Sequence, residues 1–203
     1  MPAHPRTGNV LNVPTDRTYA FRPRTSNILA VFDQASVAEL DEGLNWYREA
    51  HALAVRLNPS DPIQAAGVIA ALSPITPWER NVNLAIRAYE DGYASGSLGR
   101  NCTKADQIMA GNDPLDVLKG DKVRAFFNCI AYPETSQTVC VDRHAFDIAH
   151  GRVTNDATRA ALGRKGAYDT VARAYVRAAD ALGYGAPAVQ AVTWTVWRRL
   201  KGL

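Results

Sequence analysis

The chain has 203 residues, 47% of them hydrophobic and 21% charged, which excludes a disordered or fibrous protein and predicts a packed core. No stretch reaches the roughly 18 apolar residues of a membrane span, and Met1-Pro2-Ala3-His4-Pro5-Arg6 leads into no apolar signal core, so no membrane partner is expected and a cytoplasmic chain is. The net charge is only +3, but residues 151–203 hold 9 Lys and Arg against 3 Asp and Glu, while residues 61–150 hold 8 against 11. A basic C-terminal quarter fits either a phosphate-facing surface or solvated helix faces.

Pro2, Pro5, Pro14 and Pro23 break any periodicity in the first 25 residues, which read as an irregular arm ahead of one helical domain over 26–203. From Ser36, Val37, Leu40, Leu44, Tyr47, Leu53 and Leu57 fit one face of a long helix that stops before Asn58-Pro59. Ser60-Asp61-Pro62 starts a second helix, apolar through Leu72 and stopped by Ser73-Pro74. Thr76-Pro77-Trp78-Glu79 reads as a capping box opening a third helix through Tyr89.

Thr103 is expected to cap a short helix through Ile108, and Gly120 precedes another with Val123, Phe126, Phe127 and Ile130 facing inward. Asp142 can cap the segment with Ala145, Ile148 and Ala149, and two amphipathic helices are expected near 165–182 and 187–200. β-branched residues concentrate only in Gln137–Val141, too short for a sheet, so the class is all-α.

Cys102, Cys129 and Cys140 are an odd number without paired spacing, and they read as reduced, buried thiols rather than a disulfide framework or a four-thiolate site. His4, His51, His144 and His150 include no pair on adjacent turns of one helical face. Neither a metal nor another cofactor is expected.

Val141-Asp142-Arg143-His144 resembles the Val-Asp-Thr-His signature of the endonuclease III branch of the helix-hairpin-helix DNA glycosylases. Val68-Ile69-Ala70-Ala71-Leu72-Ser73 with Asn81-Val82-Asn83-Leu84-Ala85, and Thr103-Lys104-Ala105-Asp106-Gln107-Ile108, resemble the same proteins in the same order. The resemblance implies an all-helical, two-lobed fold with a cleft that receives a flipped base, and Asp142 as the catalytic carboxylate. The chemistry suits that residue type, since a carboxylate stabilises positive charge developing on the sugar and can orient or deprotonate a water. Capping is the competing role for Asp142, and the two are compatible.

The family hairpin has the form Leu-Pro-Gly-x-Gly, whereas Leu118-Lys119-Gly120-Asp121-Lys122 lacks the second glycine. A gapless register from Asp142 puts Arg124 where strand-cleaving members carry a lysine, and an arginine cannot form a Schiff base. Lys122 serves there only if the register slips by two. Monofunctional N-glycosylase chemistry without a cofactor is therefore expected, on DNA or a nucleotide. The fold also resembles phage enzymes that process hypermodified pyrimidines, which would place the chain in the host cytoplasm.

Other candidates for substrate contact are Ser73, Trp78, Arg80 and Asn81 at the proline-rich corner, and Arg143 and His144 beside the aspartate. Gln190, Thr193 and Trp194 share one helical face, where packing is the competing explanation for Gln190 and Trp194. A base-hypermodifying transferase of the same fold, and a DNA-binding protein without catalysis, are the alternative functions.

Overall fold

The computed structural model describes residues 21–202. The expected arm lies outside them up to residue 20. About 70% of the described residues are helical, in 11 α-helices and one 3₁₀ turn, and no strand occurs among them. The all-helical expectation holds, and Gln137–Val141 runs without regular structure.

The first helix, α1 (Thr25–Phe32), was not signalled by the sequence and takes in the last residue of the expected arm. Its position is set by distant partners: Arg24 N–H donates to Ala149 O (2.8 Å), Asn27 Nδ2 to the same oxygen (2.9 Å), and Thr25 Oγ1 to Ala174 O (3.2 Å). α2 (Val37–Leu57) opens on a capping box between Ser36 and Glu39. α3 (Pro62–Leu72) starts as expected, with Asp61 accepting from Gln64 N–H (2.9 Å).

Two expected caps are corrected. α4 (Trp78–Asp91) has Pro77 at its N-cap and no capping side chain, because the Thr76 hydroxyl turns back to Pro74 O (3.3 Å). α5 (Gly99–Met109) begins a turn earlier than Thr103, whose hydroxyl bonds Gly99 O (3.0 Å) inside the helix. A single turn, α6 (Pro114–Val117), leads to α7 (Asp121–Ala131), entered through Gly120 at φ +85°, a conformation that favours glycine. α8 (Arg143–His150) is capped by Asp142. α9 (Asp156–Arg159) and a 3₁₀ turn, Ala160–Gly163, precede α10 (Ala167–Leu182) and α11 (Ala186–Lys201).

Two apolar clusters divide the molecule. One gathers Leu53, Ile69, Leu72, Leu84, Ile108, Phe127 and Ile130 from α2 to α7. The other gathers Ile28, Phe32, Phe146, Ile148, Val171, Tyr175 and Trp197, joining α1 to the C-terminal helices. The middle of the chain thus forms one lobe, and its two flanks form the other.

α2 and α11 are the seam. Leu40 and Leu44 on α2 pack into the second cluster while Leu53 and Ala54 lie in the first, and Ala191 of α11 reaches the first. The two backbones meet at Gly43, where a Cβ would stand 2.4 Å from Val192 Cα. Glycine, with a hydrogen in place of a side chain, permits this close approach of the two backbones. No helix among the described residues is long and apolar enough to cross a membrane.

Candidate functional site

Where the seam opens, the two lobes enclose a cavity of about 150 Å³. Its walls come from five segments distant in sequence. α2 contributes Trp46 and Tyr47, the corner before α4 and the first turn of α4 contribute Ser73, Thr76, Trp78 and Asn81, and α7 contributes Lys122 and Phe126. Cys140 and Asp142 enter from the second lobe, and Gln190, Ala191 and Trp194 from α11. The cavity opens into a groove of about 880 Å³ lined also by Glu42, Ile75, Glu79, Arg143, His144 and Arg198.

Asp142 stands at the junction of the two spaces. Its Oδ1 accepts the backbone N–H of His144 (2.9 Å) and of Ala145 (2.7 Å), at the start of α8. These bonds fix the carboxylate against the first turn of the helix. Oδ2 accepts no hydrogen bond among the described residues, and the side chain is only half buried. One oxygen caps the helix and the other remains open to chemistry.

One wall is a cluster of rings. The Trp46 ring lies tilted against Trp78 at 4.9 Å and Phe126 at 5.9 Å, with Tyr47 edge-on at 4.8 Å. Trp194 touches none of these rings and carries the Arg198 guanidinium 4.8 Å above its own face. Periodicity marked Tyr47 and Phe126 as apolar helix positions, but a period cannot say whether such a face meets core or cavity. Tyr47 and Phe126 had no other signal, and Trp46 had none.

The corner is strained. Ile75 adopts φ +61°, which a β-branched residue enters at a cost of about 1–3 kcal/mol, and its side chain is 86% exposed at the groove. Bonds from Thr76 N–H to Ser73 O (3.1 Å) and from Ser73 Oγ to Ala70 O (2.9 Å) hold the turn. Asn81 is buried behind it, its Nδ2 donating to Ile69 O (3.1 Å) while Oδ1 has no partner.

Tyr47 hydroxyl donates to Gln190 Oε1 (2.9 Å), and burial pushes the phenol well above its ordinary pKa, so it stays a donor. Burial likewise raises the Cys140 thiol, which is inert as a nucleophile. His144 is pushed below the usual imidazole range by burial, opposed by Asp142, and its Nε2 accepts from Arg143 Nε (3.2 Å). Lys122 and Arg143 are exposed cations at the opening, and Lys122 forms no ion pair among the described residues.

Ser73, Trp78, Asn81, Lys122, Asp142, Gln190 and Trp194 therefore share the cavity, and Arg143 and His144 the groove. Arg80 and Arg124 line neither; Arg80 Nη2 is bound to Gly96 O (2.9 Å). The lysine of α7, not the arginine two positions on, faces the aspartate's cavity, because residues two apart on a helix point to different sides. Cys102 is half buried rather than buried, and all three thiols are free. No group of three or more His, Cys, Asp or Glu side chains suited to a metal ion occurs among the described residues.

The molecule is thus a two-lobed, all-helical protein with an aromatic cavity and a half-satisfied carboxylate between its lobes. Residues 13–201 match the family of unknown function DUF7178, and the chain belongs to that family. Neither a curated protein nor a solved structure matches it.

Proposed function

We propose that the protein is an aspartate-dependent enzyme acting on a nucleobase–sugar bond of DNA or a nucleotide, with a helix-hairpin-helix glycosylase-like arrangement. The observation that carries the reading is Asp142, held by two backbone amides yet open through its second oxygen to a ring-lined cavity between two lobes. A planar base fits between aromatic walls, and a base in a duplex reaches such a cavity only by leaving the stack.

In the hydrolytic step, water oxygen bonds to C1′ as the C1′–N bond breaks, and the bonding pair leaves with the base, which takes a proton from solvent. Asp142 stabilises the positive charge on the sugar and accepts the proton that the water loses. Lys122, Arg143 and Arg198 at the opening can each meet a phosphate oxygen, and they stand among Glu42 and Glu79 on the same groove, so the contacts would be local rather than a general attraction for anions.

Lys122 also favours a second reading. A deprotonated lysine amine sharing the cavity with the carboxylate can bond to C1′ in place of water as the C1′–N bond breaks and the pair leaves with the base. Asp142 takes a proton from the new nitrogen, and the C1′–O4′ bond then opens, O4′ taking a proton, to give a Schiff base, which Arg124 could not form. The test for both is mass spectrometry of bases and nucleosides after incubation with modified and unmodified DNA, with borohydride added in a parallel reaction. Base released by the parent but not by Asp142→Asn supports hydrolysis, and a borohydride-trapped covalent adduct lost in Lys122→Gln supports the lysine reading. An altered nucleoside would point instead to a transferase, and tight binding without either product to a DNA-binding protein.

A further inference from the structure

Two polar groups of the cavity are unspent. Gln190 is 5% exposed, and its Oε1 is occupied by the Tyr47 hydroxyl. Its Nε2 has no hydrogen-bond partner among the described residues and is not sealed from solvent. Since Gln190 lines the cavity and not the outer groove, that N–H is presented to the cavity. Asn81 is 1% exposed in the opposite lobe, and its Oδ1 is a buried acceptor without a donor. A buried polar atom left unpaired is costly, and because Asn81 belongs to the cavity lining, a small turn of its side chain brings that acceptor to a ligand group that completes the bond.

Carboxamides can flip, so a free glutamine offers either a donor or an acceptor. Tyr47 removes that freedom here. In this structure the Tyr47 hydroxyl donates to Oε1, which leaves Nε2 as the end that faces the ligand. Tyr47 itself packs edge-on against Trp46, so its ring is held by the same aromatic wall.

We propose that Gln190, oriented by Tyr47, and Asn81 read the polar edge of a flat heterocycle in the cavity, demanding a ring acceptor for Gln190 Nε2 and an N–H for Asn81 Oδ1. The ligand class is a nucleobase with an unalkylated lactam or amidine edge. This rests on the reading of the cavity as a base pocket and adds a specificity determinant to it; Tyr47 acts as a positioning residue, not through contact with the ligand.

The test uses quenching of tryptophan fluorescence, since Trp46, Trp78 and Trp194 line the cavity. The full chain is titrated with 1-methylthymine and 1-methylcytosine, and with their edge-blocked forms 1,3-dimethylthymine and 1,N4,N4-trimethylcytosine. At least one 1-methyl base should bind about 10-fold more tightly than its blocked form, the loss expected when buried polar groups go unpaired. Gln190→Glu, of the same shape but without the N–H, should lose about 10-fold for that base. Tyr47→Phe should shrink the ratio between free and blocked base while leaving the melting curve near that of the parent, a change that lost packing alone does not produce.

Equal binding of free and blocked forms, binding of none, or a Gln190→Glu protein that binds like the parent overturns the proposal. The two readings fail separately. Base release from DNA with no edge preference leaves the glycosidic reading standing and this one fallen. Edge-selective binding with no base release does the reverse.

Discussion

Helix α8 carries one aspartate ahead of its first turn and another in its second, and the protein treats them in opposite ways. Asp147 is 2% exposed and spends both oxygens: Oδ1 accepts from Thr154 N–H, Thr154 Oγ1 and Arg159 Nε, and Oδ2 accepts from Arg159 Nη2 at 2.7 Å. Asp142 spends one oxygen on the helix start and leaves the other facing a cavity. The first arrangement ties the segment after α8 back onto the helix. The second gives the helix a cap without using up the carboxylate, which leaves its other oxygen for the proposed chemistry.

The largest expected effect breaks this contrast on the chemical side. Asn caps nearly as well as Asp but carries no charge and accepts no proton. Asp142→Asn should therefore slow base release about 10²–10⁴-fold while the melting temperature stays within about 2 °C of the parent. A variant that releases base at the parental rate would reduce Asp142 to the same structural role as Asp147.

On the folding side the order reverses. Asp147→Ala strands Arg159, whose side chain is 19% exposed, with only the solvent-facing Asp156 as a partner. Breaking a buried pair from one side costs about 3–5 kcal/mol, against about 0.5–2 kcal/mol for loss of a cap in Asp142→Ala. Urea unfolding of the two alanine variants should show that ranking, and equal losses would mean that burial of the carboxylate is not what distinguishes them.

The seam on which the cavity depends comes next in size. Gly43→Ala places a methyl carbon where Val192 Cα stands 2.4 Å away, and overpacking of this kind costs about 1–3 kcal/mol. Because α2 and α11 both supply cavity walls, tryptophan emission should shift in the folded variant as well as stability fall. A variant with parental emission and stability would show that the helices part without disturbing the cavity.

Local signals were legible wherever one residue settles a helix end. Asp61-Pro62, Gly120 and Asp142 all act at the positions read from the chain, because each does so through its own backbone or a neighbour three residues away. Thr76 misled because the left-handed Ile75 beside it redirects its hydroxyl, and no pattern announces that turn. α1 was missed because its bonds run to Ala149 and Ala174, more than a hundred residues away. Among the cavity-lining residues, Asp142 was picked out by its resemblance to a family signature and Gln190 and Trp194 by helical spacing, whereas Trp46, Tyr47 and Phe126 were not picked out as site residues. Which of Lys122 and Arg124 faces the cavity depended on the rotation of α7, which the core sets.

The smallest effect concerns a third carboxylate, one that is fully bonded like Asp147 but paired with an arginine at the surface. Glu39 receives Arg199 Nε at 2.6 Å on Oε1 and the Ser36 N–H at 2.9 Å on Oε2, tying the start of α2 to the end of α11. The Arg199 bond first, and the Ser36 amide after it, lower its pKa from 4.5 to about 2. A depressed folded-state pKa contributes stability that is present above the unfolded value and is lost as pH falls from about 4.5 toward about 2. Arg199 is 51% exposed, so solvent screens the pair and its contribution should be about 1 kcal/mol or less. Gln at this position keeps the reach of a capping box without the charge. The stability difference between the parent and Glu39→Gln should be present at pH 6, shrink through that window and vanish in high salt. A difference that is constant down to pH 2 would mean that the link between the two helices is made by shape rather than charge, and that among these three carboxylates only Asp147 stabilises the fold by ion pairing.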